Sequence, residues 1–137
     1  MTDQVRKVSY FSIEKPDKPG EGAHLLKLLK DSGVNLLAFT AFPSGRSAQM
    51  DLVPEDTDAL RAAAIKMGLT LSEQRSGFLV QGKDRVGAIT EMTQKLGDAG
   101  INITALDAIT AGEGRFGAIF WIEAADIHKA ERVLDAF

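Results

Sequence analysis

The strongest constraint on the fold of this chain is an internal repeat with one constant spacing. Asp17 to Gly20 and Asp84 to Gly87 each end in a glycine that precedes an apolar, helix-like stretch. Further along the chain, Gly33 to Leu36 matches Gly100 to Ile103 at the same offset of 67 residues (84 − 17 and 100 − 33). Two motifs that keep one offset indicate a duplication. We therefore interpret the chain as two copies of one structural unit.

The first copy predicts the order strand, helix, strand, strand, helix, strand. Val5 to Ile13 is rich in β-branched and aromatic residues, as strands are, and leucines recur at helical spacing from Gly20 to Ser32 before Gly33 ends the helix. Asp56 or Thr57 is positioned to cap the second helix, and Gly68 to end it. The remaining predicted elements are the strands Val34 to Phe42, Ala48 to Val53 and Leu69 to Glu73, and the helix Asp56 to Met67.

The second copy repeats this order but ends one strand early. The order βαββαβ predicts an α+β fold of two ferredoxin-like modules, residues 1–75 and 76–137, each an antiparallel sheet with its helices on one face. In such a sheet the missing last strand would leave the first strand of the second module as an open edge. The predicted elements are strand Phe78 to Gln81, helix Gly87 to Ala99, strands Asn102 to Thr110 and Arg115 to Glu123, and helix Asp126 to Phe137.

Composition excludes several classes of function. A net charge of −3 and no clustered basic residues argue against nucleic acid as a partner. The absence of cysteine excludes disulfides and thiolate metal sites, and His24 and His128 have no metal-ligand spacing, so neither a metal nor another cofactor is expected. No apolar run suits a signal peptide or a membrane span, and we expect a cytoplasmic protein.

Two ferredoxin-like units, each with an Asp-x-x-Gly loop before its first helix and a Gly-[Val/Ile]-Asn-[Leu/Ile] entry to its second strand, resemble the ACT family of regulatory domains. The second loop departs mildly from the fuller form, with Val86 in place of Pro19. The resemblance implies that this loop and the start of strand two, often from neighbouring modules, form a pocket for an amino acid or a similar small effector. The residues it implies are Asp17, Lys18, Pro19, Gly20, Asn35, Leu36, Asp84, Arg85, Val86, Gly87, Asn102 and Ile103.

Helix geometry explains why such a loop suits an amino acid. The first backbone N–H groups of a helix have no partner within the helix and lie at the positive end of its dipole, where a carboxylate binds well. Gly20 and Gly87 would let the ligand approach the backbone closely, while asparagine or aspartate accepts from the ammonium group. The same residues also have purely structural interpretations, as turn glycines, loop caps and asparagines bonded to their own backbone.

Three alternatives to a regulatory ligand site stay open from the sequence. Val80 to Gly82, Arg85 and Asn102 partly resemble the loop of acylphosphatases, although Asp84 beside an anion is unfavourable. Phe116 to Phe120 only faintly resembles the aromatic run of an RNA-recognition module. A protein-interaction module without a small ligand is the third alternative.

The expected partners follow from the same reasoning. We expect the second strands of the two modules to lie together at the centre of a continuous sheet, with the ligand sites at the module interface. The open edge at Phe78 to Gln81 further predicts a homodimer, in which a second copy covers that strand. A separate enzyme or transporter would be the regulated target, and neither nucleic acid nor membrane is an expected partner.

Overall fold

The computed structural model describes residues 3–137, and the chain divides into two compact units. The first unit is Ser9–Arg75; the second unit combines the residues up to Val8 with Ser76–Phe137. The residues that precede Ser9 therefore group with Ser76–Phe137 and not with the segment that follows them.

The described residues contain six strands and four α-helices, and the predicted α+β fold class of ferredoxin-like modules is confirmed. Over the described part of the chain, no helix is both long enough and apolar enough to cross a membrane. In chain order the elements are β1 (Gln4–Pro16), α1 (Glu21–Asp31), β2 (Leu36–Ser44), β3 (Ser47–Pro54), α2 (Thr57–Met67), β4 (Arg75–Lys83), α3 (Thr90–Asp98), β5 (Ile103–Gly112), β6 (Arg115–Ile122), a 3-10 turn (Ala124–Asp126) and α4 (Ile127–Leu134).

The first unit is organised around β3, which pairs antiparallel with β1 on one side and with β2 on the other. Alternate residues of a strand point to opposite faces, so Phe11 and Ile13 of β1 enter the core while Ser12 lies on the other face. Leu25 and Leu29, one helical turn apart in α1, are fully buried against the same core. The helical leucine spacing in the sequence thus fixes which face of α1 meets the sheet.

The two helices of the first unit begin in different ways. The Asp56 carboxylate accepts hydrogen bonds from the N–H groups of Asp58 (3.0 Å) and Ala59 (3.2 Å), so α2 has the predicted side-chain cap. Gly68 ends α2 in the left-handed conformation (φ 68°), also as predicted. At the start of α1, in contrast, no side chain caps the helix. The Glu21 amide donates to the Lys18 carbonyl (3.5 Å), and the N–H groups of Gly22 and Ala23 are left for water or a ligand.

The second unit is organised around β6, which pairs antiparallel with β4 and β5. Phe78 of β4 and Phe120 of β6 are register partners, and their rings stack with centroids 5.1 Å apart. Both are fully buried. Leu96 of α3 and Ala130 of α4 close the same core from the helical side.

The outer side of β4 is covered by the start of the chain itself. β4 has β6 as one hydrogen-bonded neighbour and β1 as the other, and Val5 of β1 is packed into the core with Phe78. On the far side of β1, the Phe137 amide donates to the Val5 carbonyl (3.0 Å), and the Lys7 amide donates to the Phe137 carbonyl (2.8 Å). The first residues of β1 therefore occupy the place of the missing fourth strand.

The predicted open edge at Phe78 to Gln81 is therefore wrong. The predicted helix to Phe137 is also too long, because Asp135 adopts a left-handed φ of 51° and ends α4 at Leu134, which frees Phe137 to pair with β1. Sequence reasoning sought the fourth strand after the last helix, whereas the chain supplies it from before the first unit. The homodimer was predicted because that edge was expected to be open. It stays a prediction, although β1 covers the edge.

Two further strand predictions need correction. β2 and β5 are the outer strands of their own units, paired with β3 and β6, and the opposite side of each pairs with no strand among residues 3–137. The central position predicted for them is therefore wrong. Leu69 to Glu73 forms no regular strand, although the Ser72 amide donates to the Ser12 carbonyl (2.9 Å) and the Ser12 amide to the Ser72 hydroxyl (2.8 Å). This segment still meets the exposed side of β1 at one point.

The role of β1 in the second unit predicts the effect of truncating Val5. Val5→Ala removes part of a buried side chain, so we expect the free energy of unfolding to fall by about 1–3 kcal/mol. Ile109→Ala on β5 is the matched control, because Ile109 is 74% exposed and its truncation should change stability by less than about 0.5 kcal/mol. Urea denaturation measures both variants. Equal losses for the two variants would contradict a structural role for the start of the chain.

Candidate functional site

The first predicted loop forms an exposed turn at the start of α1. Asp17 to Gly20 are all exposed, and the Lys18 amide donates to the Pro16 carbonyl (3.0 Å). Gly20 is the N-cap residue and adopts a left-handed φ of 91°, which only glycine adopts without strain. Because no side chain caps α1, the N–H groups of Gly22 and Ala23 point towards the loop without a partner from the helix.

An arginine that the sequence reasoning did not single out lies beside this loop. Pro16 at the end of β1 is the register partner of Ser47, so the turn between β2 and β3 is next to the loop. Arg46 is in that turn, is exposed, and makes no hydrogen bond or ion pair with residues 3–137. The Lys18 side chain likewise makes no hydrogen bond or ion pair with residues 3–137. Two cationic side chains and a helix N-terminus therefore share one end of the first unit.

The second predicted loop has a different geometry. Helix α3 begins at Thr90, three residues later than predicted, because Gly87 lies in a turn with φ 71° and the Thr90 amide donates to the Gly87 carbonyl (3.0 Å). Val86 is fully exposed, and the Asp84 amide donates to the Gly114 carbonyl (2.8 Å) of the β5–β6 turn. Gly87 is therefore not the helix-start residue that Gly20 is.

Arg85 of the second loop is bound to Asp3, another residue that the sequence reasoning missed. Its Nη1 lies 3.0 Å from Asp3 Oδ1 and its Nη2 lies 3.1 Å from Asp3 Oδ2. These hydrogen bonds are the main reason why the pKa of the guanidinium is raised above its ordinary value. No local sequence signal could have found the pair, because the two residues are 82 positions apart.

The asparagine motifs lie far from the loops of their own units. Asn35 and Leu36 follow the C-terminal end of α1, whereas Gly20 precedes its N-terminal end, and an 11-residue helix is about 16 Å long. Asn102 and Ile103 stand in the same relation to α3. Within one unit a single amino acid therefore contacts the loop or the asparagine motif, but not both. A ligand position between the two units stays a prediction.

The two asparagines, Asn35 and Asn102, have different surroundings. The Asn35 side-chain amide donates to a Glu55 carboxylate oxygen (3.2 Å), and Asn35 and Leu36 line a shallow depression of about 370 Å³ beside the end of α1. Asn102 is exposed. His24 and His128 are exposed as well, and among residues 3–137 no group of three histidines or carboxylates is arranged to hold a metal ion.

The geometry of Gly20 gives a direct test by two neighbouring substitutions. Gly20→Ala places a side chain at φ 91°, so we expect the free energy of unfolding to fall by about 1–2 kcal/mol. Gly22→Ala, inside α1, meets only ordinary contact with Met50 (3.6 Å) and should be neutral or stabilising by up to about 1 kcal/mol. Urea denaturation of both variants provides the measurement. If Gly20→Ala is as stable as Gly22→Ala, the left-handed turn is not required.

This chain resembles several solved structures and, over part of its length, one family model. No curated protein matches the sequence. A solved structure from Bacteroides thetaiotaomicron is similar, with a TM-score of 0.81 and 15% identity over 96% of this chain and 88% of that chain. The ligand-free regulatory subunit of aspartate kinase from Thermus thermophilus has a TM-score of 0.65 and 17% identity, with 98% of this chain and 96% of that chain covered.

The corresponding regulatory subunit from Thermus flavus has a TM-score of 0.56 and 20% identity over 98% of this chain and 94% of that chain. At these identities the similarity establishes a shared fold and nothing beyond it. The family comparison is specific to the second half of the sequence. Residues 78–137 match the model of the ACT domain.

Proposed function

We propose that this chain is a non-catalytic regulatory or sensor protein, built from two tandem ACT-type modules, that binds a small amino-acid-like ligand. The ACT match of residues 78–137 and the fold shared with aspartate kinase regulatory subunits support this class. The sequence repeat supports extending the module to the first unit. The regulated enzyme or transporter would be a separate protein.

The observation that carries the proposal is the uncapped start of α1. Its N–H groups at Gly22 and Ala23 suit an α-carboxylate, and Lys18 and Arg46 add positive charge at the same end of the unit. Gly20 carries no side chain, and a Cβ built there would meet no atom within 4 Å, so the approach to the backbone is open. Helix α2, whose start is closed by Asp56, has no such site.

The ammonium group of the ligand also has an acceptor on this loop. Asp17 is exposed and its carboxylate makes no hydrogen bond or ion pair with residues 3–137. Asn35 is at the other end of α1, so Asp17 is the better acceptor within the first unit. The first loop thus offers complementary charge to both ends of a zwitterion.

The hydrolase alternative requires Arg85 to hold an acyl phosphate. Its guanidinium instead donates to Asp3, and Asp84 adds a second carboxylate to the same loop. This arrangement disfavours an anionic substrate with several negative charges. An assay of benzoyl phosphate hydrolysis separates the two functions, and turnover that Arg85→Gln abolishes would favour the hydrolase.

A thermal-shift screen of the wild-type chain against the twenty amino acids tests the proposal. We expect at least one of them to raise the melting temperature, since a ligand at one hundred times its dissociation constant stabilises the folded state by about 2.7 kcal/mol. Titration calorimetry then gives the stoichiometry. If none of the amino acids binds, the proposal is wrong and a protein-interaction module without a small ligand becomes the better interpretation.

Charge removal at the first loop locates the site. Lys18→Gln and Arg46→Gln should each weaken binding by about tenfold at low salt, or about 1.4 kcal/mol, because each loses an attraction to the α-carboxylate. The effect should shrink as ionic strength rises. Lys66→Gln is the matched control, since Lys66 is an exposed lysine in the last turn of α2. Equal affinity in all three variants would move the site away from this loop.

A further inference from the structure

The environment of Arg85 has the geometry of an occupied carboxylate site. Two parallel hydrogen bonds, at 3.0 and 3.1 Å, join its two terminal nitrogens to the two oxygens of Asp3. Arginine holds free carboxylates by this same two-point arrangement. The same two nitrogens also donate to backbone carbonyl oxygens, Nη1 to that of Lys83 (2.8 Å) and Nη2 to that of Ala88 (3.2 Å), and these bonds fix the orientation of the guanidinium within the loop.

The backbone beside Arg85 is shaped to admit the carboxylate. Gly82 is buried, and a Cβ built on it would lie 2.1 Å from Asp3 Oδ1 and 2.9 Å from the ring of Phe116. A side chain at this position would require the Asp3 carboxylate or the Phe116 ring to shift. The Arg85 guanidinium also lies over the Phe116 ring, 5.9 Å from its centroid. Four groups therefore pack together at this loop: the Asp3 carboxylate, the Arg85 guanidinium, the Phe116 ring and Gly82.

The same carboxylate lies in a cleft of the second unit and holds the end of a strand. The cleft measures about 280 Å³, and besides Asp3 and Arg85 its charged lining residues are Glu91 and Lys95 of α3 and Asp135 at the end of α4. Asp3 immediately precedes β1, whose next residues complete the sheet of this unit. Release of Asp3 from Arg85 would therefore free the beginning of that strand.

We propose that Arg85 is a binding site for a small carboxylate ligand, that the chain fills it with the side chain of Asp3, and that a free carboxylate binds there by replacing Asp3. This inference rests on the proposed function for its ligand class, although it concerns other atoms than the first loop. Because Asp3 is tethered close to Arg85, it competes at a high effective concentration. Asp3 thereby blocks the second loop until a free carboxylate displaces it, and binding of that carboxylate loosens the start of β1.

Chemical rescue of an Asp3 variant tests the proposal. Asp3→Ala removes the carboxylate and leaves Arg85 without its acidic partner. We expect formate, the free form of the deleted group, to raise the melting temperature of Asp3→Ala saturably, with chloride at equal ionic strength as the reference. The wild type should not respond at the formate concentrations that saturate Asp3→Ala, and Asp3→Ala combined with Arg85→Gln should not respond at all.

The outcomes separate clearly. An equal response to formate in all three proteins, or no response in Asp3→Ala, overturns the proposal. If Asp3→Ala does not fold, Asp3→Ser also vacates the position of the carboxylate and serves in its place. Amino-acid binding to the wild type without formate rescue of Asp3→Ala would support the proposed function and contradict this inference. Formate rescue without amino-acid binding to the wild type would support the carboxylate site at Arg85 and contradict the proposed function.

Hydrogen exchange provides a second readout that needs no ligand. In Asp3→Asn we expect faster exchange at the amides of Lys7 and Phe137, which pair across β1, because the start of the strand has lost its attachment to Arg85. Asp31→Asn is the matched control, since it removes another exposed ion pair, Lys27–Asp31 (2.7 Å), in α1. Unchanged exchange in Asp3→Asn would contradict the coupling between Arg85 and the strand.

Discussion

The need to pair the backbone groups of β4 governs the second unit. A buried strand cannot leave one row of N–H and C=O groups without partners, and among residues 3–137 no strand after α4 supplies them. The first residues of β1 meet this need, with Val5 packed among the core residues and Phe137 bonded on the far side. Because β1 continues into the first unit, the second unit contains a stretch of chain that precedes the first one in sequence.

This arrangement also separates the roles of two loops that look equivalent in sequence. The start of β1 brings Asp3 to Arg85, so the second loop already binds a carboxylate. No acidic side chain among residues 3–137 bonds Lys18 in the first loop, and the start of α1 has no side-chain cap. The first loop therefore leaves the side chain of its cation Lys18 without a partner, whereas the cation of the second loop, Arg85, is engaged, although neither α1 nor α3 has a side-chain cap.

The regulatory interpretation rests on two kinds of support that should be kept apart. The match of residues 78–137 to the ACT domain model and the fold shared with solved structures support the proposed class of protein. The ligand chemistry comes from the chain's own groups, namely a helix N-terminus beside Lys18 and Arg46, with Asp17 as the acceptor. In the proposed site, an amino acid would satisfy both ends of that arrangement, whereas a polyphosphate would place its charge against Asp17.

The sequence by itself determined the repeated motifs, the α+β order of elements, the buried face of α1 and the cap of α2 at Asp56, because periodicity and capping depend on residues a few positions apart. Only the tertiary structure decided that β1 completes the second unit, that the loop and the asparagine motif lie at opposite ends of α1, and that Asp3 binds Arg85. Strand pairing uses backbone groups that every residue except proline has in full, so no side-chain pattern names the partner. The Asp3–Arg85 ion pair follows from that pairing, because it joins residues 82 positions apart that only the placement of β1 brings together.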